Sequence, residues 1–176
     1  MKDFQPSVQL PDENGNYRLY LAYLNGLLTD INGNGLFIVQ EPFQQILNKD
    51  GIVMQRLKML PLYGELLRIS NKGKIINTSN TSNLFSINKD NICCKITDLY
   101  FDYTLGEKVE SPGMVGLMGI VKPFGPKSDL FKNDLDNKNE FVALNFRGLA
   151  DQYIGKNCVK VITVTSLFTF DYKPLN

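Results

Sequence analysis

Glu140-Phe-Val-Ala-Leu-Asn-Phe-Arg-Gly-Leu149, then a polar turn, then Val159-Lys-Val-Ile-Thr-Val-Thr-Ser-Leu-Phe-Thr-Phe170 is the stretch on which the reading of this chain depends. Both flanks are dense in β-branched and aromatic residues, which suit a pleated, half-buried surface. The first flank runs into Arg147-Gly148, where glycine supplies backbone freedom that other residues lack. The second is the longest strand candidate in the chain and stops at Asp171-Tyr-Lys-Pro174, because proline has no N–H to give a ladder. A strand, an Arg-Gly break and, after the turn, a long closing strand are expected here, a plausible framework for a site.

Working outward, 176 residues with 43% hydrophobic content fit one domain that buries a core without metal or disulfide help. Residues 1–16 read as an N-terminal arm, with Pro6, Pro11 and Asp12-Glu-Asn-Gly-Asn16 as turn chemistry; residues 17–176 read as the domain. Tyr17 to Leu28 is apolar, and Asn25-Gly26 within it marks either a tight turn or a bulge in one long strand. Asp30 to Gly35 is a second turn. Short helices are expected at Glu41–Leu47, with Pro42 in the first turn, and at Ile52–Leu60, closed by Pro61. Ile69 to Asn83 reads as a surface loop and Leu84–Ile87 as a short strand. Asn91–Tyr103 alternates like a strand. Thr104–Pro112 is a charged turn, and Gly113–Val121 a buried strand. Ser128 is placed as the N-cap of a helix through Leu135 that turns Leu130, Phe131 and Leu135 inward. The fold class that follows is α+β, a small antiparallel β-barrel or sheet with a few short helices.

Composition removes several functions. The chain has no histidine at all, which excludes every Ser-His and Cys-His mechanism. Net charge is +1, from 19 basic and 18 acidic residues, unlike a nucleic-acid binder with its basic excess. Lys72 and Lys74 lack the aromatic interleaving of a single-strand platform. No apolar run reaches membrane-spanning length, and Met1-Lys-Asp-Phe-Gln-Pro6 carries no apolar signal segment. Three cysteines form no disulfide framework. Adjacent Cys93 and Cys94 read as buried thiols in a strand.

Candidate chemistry is sparse. Gly113, Gly116 and Gly119 sit inside an apolar strand rather than before a helix, where a phosphate would need them. Asp134-x-Asp136-x-Lys138-Asn139-Glu140 puts Lys and Asn where a calcium loop needs a ligand and a glycine. Asp98 and Asp102 share a strand face, and with Asp171 they read as solvated strand-end charges. Glu65, in Tyr63-Gly-Glu-Leu66, and Arg147, in Phe146-Arg-Gly-Leu149, would make a useful buried ion pair. No cofactor and no metal are called for.

In order, these segments resemble the T4-type phage prohead protease family, which shares its fold with the herpesvirus assemblins. The resemblance begins at Asn32-Gly-Asn-Gly-Leu-Phe37, followed by Pro42 and Ile46-Leu47. It continues through Gly64-Glu65-Leu66, similar to the family's Gly-Glu-Leu-Asn-His-Pro, and Asn145-Phe146-Arg147-Gly148, similar to its Ser-Ser-Arg-Gly. The resemblance implies a catalytic histidine in the first motif and a serine nucleophile in the second. Here Leu67, Arg68 and Ile69 follow the first motif, and Asn145 and Phe146 fill both serine positions. Gly64, Glu65, Leu66, Arg147 and Gly148 carry over as framework and oxyanion-side residues. The implied protein is a protease fold without proteolysis, expected in the host cytoplasm or the virion. Its expected partner is a protein: a capsid, scaffold or protease component of the phage, or alternatively a host protein bound by a phage effector. Nucleic acid and membrane are not expected, and self-association as a homo-oligomer is compatible with the reading. An enzyme of another class, working through Glu65, Asp98 or Asp102, is the remaining alternative.

Overall fold

A computed structural model of the protein describes residues 10–29, 33–66, 85–137 and 142–174. The described elements run in the order β1 (Tyr17–Leu24), β2 (Leu27–Thr29), β3 (Gly35–Ile38), α1 (Glu41–Ile46), α2 (Ile52–Met59), β4 (Leu62–Glu65), β5 (Ile92–Asp102), α3 (Leu105–Lys108), β6 (Val115–Pro123), α4 (Ser128–Asp136), β7 (Ala143–Ile154) and β8 (Lys160–Lys173). They form two four-stranded sheets, β1-β6-β5-β4 and β2-β3-β8-β7. This is the α+β class expected. Among the described residues the sheets do not close into a barrel. One pairing is parallel, between β3 and β8 at Leu36–Lys160 to Ile38–Ile162.

The β7–β8 hairpin follows the sequence pattern, with register from Ala143–Lys173 to Ile154–Lys160. Its turn holds Asn157 and Cys158 at φ 58° and 59°. β6 takes the centre of the first sheet between β1 and β5, as its continuous apolar run requires. Its glycines are spacers. A Cβ at Gly116 would lie 2.5 Å from the Tyr20 ring and one at Gly119 2.6 Å from Leu21, so both make room for β1.

The inner faces of both sheets share one core. Phe43 of α1, Phe131 of α4 and Phe170 and Tyr172 of β8 are fully buried in it, and the Phe131 and Tyr172 rings meet edge-on at 4.9 Å. Each such side chain contributes about 1.5–3 kcal/mol by leaving water. α4 covers β5 and β6, and α1 covers β8.

Several local expectations change. Asn25-Gly26 is neither a hairpin turn nor a bulge: there the chain leaves the first sheet as β1 and enters the second as β2. Asn25 adopts φ 54°, and its N–H donates to Ile38 O at 2.9 Å while its side-chain carbonyl accepts from Gln40 N at 2.9 Å. These bonds replace ladder bonds lost at the corner. Residues 85–87 form no strand, and the charged turn after β5 contains α3. Ser128 opens α4 as its first helical residue; the N-cap is Lys127, without a side-chain cap bond. Phe131 and Leu135 face inward, but Leu130 is 51% exposed, because the helix meets the sheet through too narrow a stripe to cover a third position. The loop expected at Ile69–Asn83 lies outside the described residues.

Candidate functional site

β4 ends at Glu65, and the Leu66–Tyr172 bridge joins it to β8. A glycine on each side of β8 lets its neighbour approach closely, Gly64 of β4 and Gly148 of β7. A Cβ on Gly64 would sit 2.5 Å from Phe170 O and 2.6 Å from Cys94 Sγ, and one on Gly148 would collide with Ser166 O. β4 is thereby laid against β8, opposite the strand that carries Arg147.

At this junction Arg147 is the hub. Its Nη2 donates to Glu65 Oε2 at 2.8 Å and to Asp171 Oδ1 at 3.1 Å. Its Nε lies 3.0 Å from Asp171 Oδ2, and Nη1 donates to Ser86 O at 2.8 Å. Asp171 Oδ1 also accepts the Glu65 N–H at 3.0 Å, so the backbone of β4 is tied to β8 and the Glu65 side chain, through Arg147, to β7. The side chains of Arg147, Glu65 and Asp171 are 13%, 13% and 7% exposed, so water screens the charges poorly. Burial pushes the Asp171 carboxyl above its ordinary range, against the pull of Arg147 and of the Glu65 amide. The guanidinium faces the Phe168 ring at 5.3 Å, with Arg56 of α2 over that ring at 5.0 Å and Phe85 edge-on at 5.7 Å.

Beneath β4 lie the two adjacent thiols. Cys93 Sγ donates weakly to Gly64 O at 3.5 Å. Hydrogen bonding to Cys93 and burial push the Cys94 thiol well above its usual value, which leaves it protonated and unreactive.

The two residues ahead of Arg147 differ in direction. Asn145 is exposed and paired in register with Asp171, on the face that carries Arg147. Phe146 is paired with Phe170 and packs against the core. Strand alternation dictates this split. Arg68, with Leu67 and Ile69, lies outside the described residues, so the histidine position of the first motif has no geometry to report. Glu65, Leu66, Arg147 and Asn145 are brought together; Gly64 and Gly148 are the spacers.

The other acidic candidates do not join this cluster. Asp98 accepts the Leu99 N–H at 2.8 Å. Asp102 accepts from Tyr20 Oη at 2.6 Å, Thr104 Oγ1 at 2.6 Å and Lys108 Nζ at 2.9 Å. Asp136 accepts from Tyr17 Oη at 2.8 Å and from Lys132. Among the described residues no group of three His, Cys, Asp or Glu side chains could hold a metal ion. No described helix is long and apolar enough to cross a membrane. Sequence reasoning left Asp171 as a solvated end charge. Its signal was its setting, a lone acid between Phe170 and Tyr172 inside the longest apolar strand.

A family model, the Peptidase S80 family, matches residues 7–175. Neither the curated proteins nor the solved structures contain a match to the chain.

Proposed function

This chain belongs to the Peptidase S80 family, and from that premise we propose that it is a prohead-protease-like phage protein that has lost proteolysis and acts by binding protein during head assembly. The observation that carries the reading is the content of the site. The chain has no histidine, so a serine there would have no imidazole base. The exposed position beside Arg147 is Asn145, and an amide is not a nucleophile for acyl transfer. The position that points inward is Phe146, filled by an apolar ring. Arg147 is bound to Glu65, Asp171 and Ser86, which supports an architectural role. Electrostatic stabilisation without nucleophile or base does not cut peptides at a useful rate.

The carboxylates give weaker support to an enzyme of another class. Glu65 and Asp171 share one arginine, whereas Asp98 and Asp102 are engaged elsewhere.

The test has two arms. Purified protein incubated with unfolded casein and with phage capsid and scaffold proteins is expected to leave all of them intact by mass spectrometry. Affinity purification of the tagged protein from infected cells is expected to bring down head components. Cleaved products would overturn the loss of proteolysis. Recovery of a host protein alone would favour the effector alternative.

A further inference from the structure

β8 is paired along its whole length with β7 on one side only. On the other side β3 reaches it at Lys160–Ile162, and the Val39 N–H donates to Ile162 O at 3.0 Å. The next contacts on that side come from β4, where Tyr63 O accepts the Thr169 hydroxyl at 2.7 Å and Leu66 bridges Tyr172. Between them, among the described residues, no strand forms a ladder with β8. Thr165 and Phe168 are the extra residues of two bulges there, each skipped in the register with β7. Bulges disrupt a ladder locally and re-aim the strand.

Packing fills the gap only in part: Val164 and Leu167 turn into the core, whereas Thr165 is exposed and Ser166 half-buried. Val164, Thr165, Ser166 and Leu167 form the floor of a groove of about 500 Å³ whose other wall is made by α1 and α2. A cavity of that size falls within the range of real ligand sites. From the first to the last of the four floor residues is about 10 Å of strand. A short extended segment fits that length and would pair with β8 at Thr165 and Ser166, the accessible part of the floor.

The walls set the chemistry of the occupant. Ile46, Ile52 and Val53 are apolar, and Ile52 is 80% exposed. Glu41 is the one charged residue of the lining and makes no ion pair among the described residues. It follows Val39 by two residues, which sets it at the Ile162 end. The opposite end leads to Phe168, under Arg56, where a cation would be repelled. We propose that this groove holds an extended, apolar segment of a partner protein by strand addition to β8, with a lysine or arginine of that segment at Glu41. Main-chain bonds would supply affinity, and the helix wall and Glu41 would supply selectivity. The inference rests on the protein-binding reading above and gives it a location and a partner chemistry.

The probe is a labelled peptide of alternating valine and threonine with a single terminal lysine, read by fluorescence anisotropy and by amide chemical shifts of the full chain. The expected result is binding with shifts centred on Val164–Leu167. E41K should weaken the lysine probe about fivefold, the scale of one exposed ion pair, and should bind a glutamate-ended probe better than wild type does. I52E should weaken both probes. Both residues are exposed, so melts of the variants should overlay on wild type. Shifts centred elsewhere, or binding indifferent to both substitutions, would overturn the groove. Capture of head proteins that an excess of probe fails to displace would overturn it too, while leaving the binding function standing. Cleavage of the bound probe would instead sink the loss of proteolysis and leave the groove in place.

Discussion

Asp171 and Asp102 are both carboxylates held by a cation, and what surrounds them sets them apart. Asp171 is 7% exposed and its partner Arg147 13%; Asp102 is 16% exposed and its partner Lys108 52%. Burial raises the Asp171 carboxyl despite the arginine. For Asp102 burial also works upward, but hydrogen bonds from Thr104, Tyr20 and Lys108 prevail and hold it well below its ordinary value. The first cluster joins the two sheets, and the second decorates one of them. A charge can therefore be costly to bury and still be the fastener, because removing a single member strands the rest.

The sharpest way to break that comparison is Arg147→Met. It leaves Glu65 and Asp171 facing each other without a cation, and a loss of about 3–5 kcal/mol in urea unfolding is expected. Lys108→Met should cost no more than about 1 kcal/mol, since its pair is largely solvated. Equal losses would erase the distinction between fastener and decoration.

A smaller effect separates the two residues before the hub. Phe146→Ser removes a ring packed on the core and should cost about 2–4 kcal/mol. Asn145→Ser, on the exposed face, should stay within about 0.5 kcal/mol in thermal melts. Matching costs would mean that the strand faces are assigned the wrong way round.

The smallest effect is in pH dependence, where the two acids act with opposite sign. The folded state holds the Asp171 proton more tightly than the unfolded chain, so its contribution makes stability fall as pH rises just above the ordinary value of 3.8. Folded Asp102 releases its proton more readily, so its contribution is present above 3.8 and lost as pH falls below it. Asp102→Asn should flatten the acid limb of a stability–pH curve. Asp171→Asn should steepen the rise of stability from pH 3 to 5, by removing the opposing slope. The same change in both variants would mean that burial does not separate the two groups.

The hairpin that frames the hub was legible because its residues say the same thing locally and globally: branched and aromatic side chains over Val159–Phe170, a glycine at the close approach, a proline at the end. The Glu65–Arg147 pairing was also readable, as two opposite charges in two apolar strand ends. Other features had no local signature. The sheet change at Asn25-Gly26 depends on Gln40 and Ile38, which are distant in sequence. The bulges at Thr165 and Phe168 depend on where Gly148 meets Ser166. Asp171 looks like any polar residue near a strand end until β4 is laid over it. The inward turn expected for Leu130 failed because periodicity shows which residues share a face without showing how wide the covered face is.

The chain order of the second sheet has a consequence for its synthesis. β2 and β3 emerge from the ribosome early, yet their neighbour in the sheet is β8, more than a hundred residues later. Until β8 arrives, β3 offers a bare strand edge, Arg147 and Glu65 lack Asp171, and the apolar side of α1 has no sheet to cover. The nascent protein therefore carries an open seam over the whole interval between the synthesis of β3 and that of β8, the condition under which strands pair with the wrong chain. Any segment that pairs with β3 during that interval competes with β8 for the same edge, and slower elongation through β7 would do little to help, because the closing strand has not yet been made.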